Sequence, residues 1–156
     1  MGMSRRRARL RGFTFVELMV ATGVIVIAGI VGVQSLAALD NKAAAMRILN
    51  NARAVVQRNI DTAMGVPYTS ASVPAILATT PATGTVYDDD GSGNNLVNVV
   101  FMRNGTSTLV TGTLLRTVVA EPNSQSQALL RVTFKLTYTY RKHTYSYSMT
   151  TLRAPD

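Results

Sequence analysis

The densest group of potential ligands in the chain is the run Asp88-Asp89-Asp90-Gly91-Ser92-Gly93-Asn94-Asn95. Asp88, Asp90, Ser92 and Asn94 offer hard oxygen donors at alternate positions around two glycines, a pattern suited to calcium. The position where an EF-hand loop supplies its closing Glu is Val99, however, and a polar turn between strands accounts for the same composition. Calcium is therefore a candidate at these four residues, and no cofactor is assigned. The other ionisable groups of the C-terminal half, Glu121, His143 and Asp156, are widely separated, and a single histidine supports neither a triad nor a metal cluster. The chain has no cysteine, which excludes a thiol nucleophile, a disulfide and a thiolate metal site. Without a nucleophile motif the chain does not read as an enzyme, and a membrane-anchored hydrolase is the opposing class. Tyr140-Arg141-Lys142-His143-Thr144-Tyr145 places basic groups beside aromatics, as a nucleic-acid contact would require. A solvated turn flanked by core-facing tyrosines is the plainer reading, and DNA remains an unsupported partner.

A different kind of chemistry is suggested near the N-terminus, in "RRRARLRGFTFVELMVATGVIVIAGIVGV". From Phe13 to Leu39 the one formal charge is Glu17. A carboxylate in a hydrocarbon-spanning segment is costly and usually marks function. The net charge of +8 is concentrated just upstream, at Arg5, Arg6, Arg7, Arg9 and Arg11. Without residues 1–12, eleven Lys and Arg face eight acids, a balance of +3. A basic tail before an apolar run is a topology signal that stays on the cytoplasmic side.

The elements that position these groups follow from periodicity. Residues 13–39 exceed the ~20 residues needed to cross a bilayer. Gly23, Gly29 and Gly32 lie inside the run and suit close helix approach. Beyond Leu39 the period persists but the character changes. Ala45, Ile48, Leu49, Ala52, Val55, Val56, Ile60 and Ala63 recur at three and four, with charged and amide residues between them. No proline interrupts 13–64, and Gly65-Val66-Pro67 is a stop. The pattern predicts one helix from about 13 to about 64, ~78 Å long, its first half transmembrane. Residues 67–95, rich in Pro, Ser, Thr, Ala and Gly, read as a surface loop with one turn near Ala75–Ala78. From Leu96 the alternation becomes that of strands. "LVNVVFMR" is one, "STLVTGTLLRTVVA" a second or a pair bent at Gly112, "LLRVTFKLTYTY" a third and "HTYSYSMTTL" a fourth, with a tight reversal at Arg141-Lys142. The fold class is α+β: a long N-terminal helix packed on an antiparallel sheet of about four strands. The domain plan is a leader at 1–12, a membrane or filament-core half-helix at 13–39, an amphipathic half-helix at 40–66 and a β-sheet head at 67–156.

Gly12 followed by "FTFVELMVA", with Glu17 four residues after Phe13, resembles the processing signal of type IV pilins and the related pseudopilins. The order of long helix, loop and sheet head resembles the same family. The resemblance implies that a prepilin peptidase cuts between Gly12 and Phe13 and N-methylates Phe13. It also implies that Glu17 pairs with the N-terminal amine of a neighbouring subunit during assembly. The implied partners are that peptidase, other pilin or pseudopilin subunits, an inner-membrane assembly platform and the lipid bilayer. The implied location is the inner membrane, single-pass with the head outside the cytoplasm, then a pilus or periplasmic pseudopilus. Many major pilins carry a proline in the apolar helix and a disulfide in the head. Residues 31–36 lack the proline and the chain lacks cysteine, which fits a minor pilin or a type II secretion pseudopilin. A DNA-uptake pilin is a third member of this set.

The rival reading is an ordinary signal peptide, with a cut after "SLA" between Ala37 and Ala38, releasing a secreted or anchored binding protein. It leaves Glu17 unexplained and discards half of a periodic helix.

Overall fold

The computed structural model describes residues 13–94, 96–103, 105–122 and 129–156. The fold is α+β. A long N-terminal helix, α1 (Phe15–Gly65), is followed by a 3-10 turn at Ala75–Leu77 and an antiparallel sheet of five strands. These are β1 (Thr85–Val86), β2 (Val97–Arg103), β3 (Thr106–Ala120), β4 (Leu130–Tyr140) and β5 (His143–Arg153). The chain divides into two compact units, the first ending at Lys42 and the second running Ala43–Asp156.

In the first unit the apolar run is helical and uncovered. Its large side chains stay exposed, from 55% at Ile30 to 74% at Phe15. A contiguous apolar surface of this size is unfavourable in water and demands apolar surroundings. By length and composition α1 is able to cross a membrane. The hydroxyls within the run are satisfied by their own helix: Thr22 Oγ1 donates to Leu18 O at 2.7 Å and Ser35 Oγ to Val31 O at 2.9 Å. In hydrocarbon such back-bonding replaces the missing water.

In the second unit α1 lays one face on the sheet. Ala44, Ile48, Ala52, Val56, Ile60 and Ala63 are buried, so the contact follows the i, i+4 ridge. The sheet answers with alternate residues: Leu130, Val132, Phe134, Leu136 and Tyr138 of β4, Leu114 and Val118 of β3, and Val97 and Val99 of β2. The intervening β4 residues Arg131, Lys135 and Thr139 are exposed, as a half-buried antiparallel strand requires. β3 is the spine. β4 lies along one side of it, while β1 and β2 follow one another along the other side, and β5 closes the edge beyond β4. Past the helix, Tyr68, Ile76 and Leu77 fold back and seal the core.

The sheet has five strands where the sequence predicts about four. The addition, β1, lies inside the stretch expected to be loop, and its two residues pair with Leu115 and Arg116 of β3. β3 runs unbroken through Gly112 rather than bending there. Gly112 is required by close approach: a Cβ would stand 2.8 Å from Thr137 O and 3.1 Å from Tyr138 Cβ. The buried helix stripe is also rotated slightly from expectation. Ala44 takes the place expected of Ala45, Leu49 is only half-buried, and Asn59 joins the buried set.

Candidate functional site

Gly12 lies outside the described residues, and the candidate processing and assembly residues Phe13 and Glu17 lie within them. Phe13 is 88% exposed, immediately before the helix. Glu17 stands in the first turn of α1 and is locally engaged. Thr14 N donates to Glu17 Oε2 at 3.1 Å, Thr14 Oγ1 donates to the same oxygen at 3.2 Å, and Glu17 N donates to Thr14 Oγ1 at 3.2 Å. This reciprocal pair is a capping box, with Thr14 as N-cap and Glu17 three residues on. It satisfies backbone donors that the first turn leaves orphaned, and it sets a negative charge at the positive end of the helix dipole. The signal is Thr-x-x-Glu before an apolar run, which sequence reasoning passed over while weighing Glu17 alone.

The glycines of the apolar run are not required by close approach among the described residues. A Cβ at Gly23, Gly29 or Gly32 would meet nothing within 4 Å. Their smallness lets another helix approach closely.

The oxygen-rich loop is organised around its own backbone. Asp88 accepts from the N–H groups of Gly91 and Gly93, Asp90 Oδ1 from Ser92 N at 2.9 Å, and Asn94 Oδ1 from Leu96 N at 2.8 Å. The hydrogen bonds from Ser92 hold the Asp90 carboxyl below the usual aspartate range. These are Asx-type turns, and they account for Asp88, Asp90 and Asn94 without an ion. Among the described residues no group of three or more His, Asp or Glu side chains is placed to share a metal. The residue missed here is Asp89. Its side chain is 3% exposed and pairs with Arg58 of α1, with Asn59 Nδ2 at 3.5 Å from the same oxygen. The loop is thereby pinned to the helix.

At the opposite edge, β4 and β5 turn through Arg141 and Lys142, which have φ of 49° and 66°. Tyr138 stacks on Tyr145, with ring centroids 5.6 Å apart and planes 20° apart. The Arg141 guanidinium lies 5.7 Å over the Tyr140 ring and that of Arg53 5.4 Å over Tyr147. Tyr138, Tyr140 and Tyr145 line an apolar pocket with Met46 and Ile48 of α1. A third arginine, Arg116, was hidden by the alternation of β3. It stands on the core face opposite Phe134, 5.2 Å over the Tyr87 ring, and donates to Ala75 O. Burial lowers its pKa.

No protein-family model, curated protein or solved structure matches this chain.

Proposed function

We propose that this chain is a structural subunit of a type IV pilus or a type II secretion pseudopilus, cleaved between Gly12 and Phe13 and assembled through the first half of α1. The observation that carries this reading is the juxtaposition of Phe13 and Glu17 at the head of an uncovered apolar helix. Cleavage would create an amine at Phe13 and leave Glu17 in the first turn. The carboxylate would meet the amine of a neighbouring subunit when apolar helices bundle. A paired charge in such surroundings costs far less than a lone one and fixes register between helices. The three glycines without intrachain contacts support bundling, since they open positions for a second backbone. The head (67–156) would carry the specificity of the filament. The absent proline and cysteine favour a minor component.

A signal peptide cut between Ala37 and Ala38 is the weaker reading. Both residues lie within α1, which continues without interruption to Gly65. The test is Glu17→Ala in cells. The chain should still be processed and inserted but fail to enter filaments. Normal incorporation would overturn the assembly role of Glu17.

A further inference from the structure

We propose that the β4–β5 hairpin tip, through Arg141 and Lys142, docks on anionic phospholipid headgroups while the subunit is anchored in the bilayer. This rests on the membrane insertion of the apolar half of α1.

A short connector tethers the element that carries this tip to the apolar run. The tyrosines flanking it line a pocket with Met46 and Ile48, so it lies at the N-terminal end of the second unit. Ala45, which lines the same pocket, follows Leu39, the end of the apolar run, by six chain steps. They cover at most ~21 Å when extended and ~9 Å when helical.

Charge points to an anionic surface. Arg141, Lys142 and His143 are consecutive and exposed. One acid, Asp40, lies on that connector, and the acids of the second unit are placed elsewhere. Asp61 lies on the last turns of α1 and accepts from Gln57. Asp88, Asp89 and Asp90 follow β1 at the other edge of the sheet. Glu121 pairs with Arg131 and Asp156 with Arg153, at the far end of the strands. Along β4 that end is ten residues away from Tyr140, ~33 Å. The flanking tyrosines have the amphipathic rings that suit a lipid–water boundary.

The backbone adds an independent observation. Arg141 and Lys142 both occupy the left-handed region that a two-residue hairpin turn requires, where Asn-Gly is the least strained pair. Two cations stand where Asn-Gly would cost less, so turn geometry alone does not select them. A nucleic acid offers the same phosphate chemistry, but nothing in the chain brings it to this tip.

The full chain without cysteine permits single-site labelling. An environment-sensitive dye is placed at Thr144→Cys beside the tip, at Val26→Cys in the apolar run and at Ser70→Cys as a distant control. The chain is reconstituted in phosphatidylcholine vesicles with or without phosphatidylglycerol, carrying a headgroup-level quencher. The dye at Thr144→Cys should be quenched when phosphatidylglycerol is present, and that at Ser70→Cys should not. Arg141→Asn with Lys142→Gly keeps the turn and removes both charges. At about fivefold per cation, it should weaken docking on the order of twenty-fold. Indifference of the Thr144→Cys dye to phosphatidylglycerol, with the Val26→Cys dye in hydrocarbon, overturns this inference alone. A Val26→Cys dye outside hydrocarbon overturns the membrane reading and this inference with it. Protection of the tip by double-stranded DNA and not by anionic vesicles overturns it in favour of nucleic acid.

Discussion

The Asp89 side chain is 3% exposed while that of its ion-pair partner Arg58 is 62% exposed, so the two ends of one salt bridge are not equivalent. Losing Asp89 leaves a guanidinium that water can solvate. Losing Arg58 leaves a largely buried carboxylate with Asn59 Nδ2 standing 3.5 Å away. Arg58→Ala should therefore destabilise by roughly 3 kcal/mol and Asp89→Ala by about 1 kcal/mol. Urea unfolding of each variant checks the order; a larger loss for Asp89→Ala would contradict it.

The two roles of Glu17 are separable. Gln at that position keeps a capping box but removes the charge. Thr14→Ala removes the cap side chain, about 1 kcal/mol of helix stability, and keeps the charge. If the charge matters for assembly, Glu17→Gln should abolish incorporation into filaments while Thr14→Ala retains most of it. Circular dichroism of both in detergent, beside sheared-filament yields, distinguishes the roles. Equal incorporation by the two variants would reduce Glu17 to a cap.

Gly112 permits β3 to pass against β4. Gly112→Val places atoms against Thr137 O, which backbone pairing holds in place. The expected loss is about 2–3 kcal/mol, in the range of overpacking a well-packed interior. Thermal unfolding of the variant checks it; an unchanged midpoint would show that the strands can part without cost.

Asp156 gives a pH-dependent tie. Its carboxylate accepts from Tyr68 N at 2.8 Å and from Arg153 Nη2 at 2.6 Å, and the bond from Tyr68 does most to hold its pKa below the usual aspartate value. A depressed carboxylate stabilises the fold fully above its unfolded pKa and loses that contribution as pH falls through the folded value. The tie should persist at pH 5 and release below about pH 4. Asp156→Asn should flatten stability across that window, as measured by denaturant midpoints; an unaltered acid slope would count against it.

Legibility in the sequence followed the physics of each element. α1 was legible because its period runs unbroken and proline is absent until Pro67. β4 was legible because one face is buried and the other wet, so Val132, Phe134 and Leu136 alternate with Arg131, Thr133 and Lys135. β1 was not, since two residues carry no period and its pairing with Leu115 and Arg116 is entirely non-local. Gly112 left two alternatives open, because a glycine in a strand signals a bend equally well as a close approach. Arg116 sits on the buried face because Tyr87 and Ala75 O, remote in sequence, receive its guanidinium. At the candidate site, Glu17 was legible as an anomaly, whereas its partner Thr14 needed the capping pattern to be read. Asp89 had no role in the alternate-position pattern of Asp88, Asp90, Ser92 and Asn94, and the fold turns it toward Arg58.

The central claim is that the chain is cut before Phe13 and kept in the membrane by the apolar half of α1. The most direct measurement is the intact mass and N-terminal residue of the protein extracted from membranes. Removal of 12 residues from 156 should leave 144, beginning with N-methylated Phe13. A chain beginning at Ala38, or one retaining its arginine-rich leader, would contradict it.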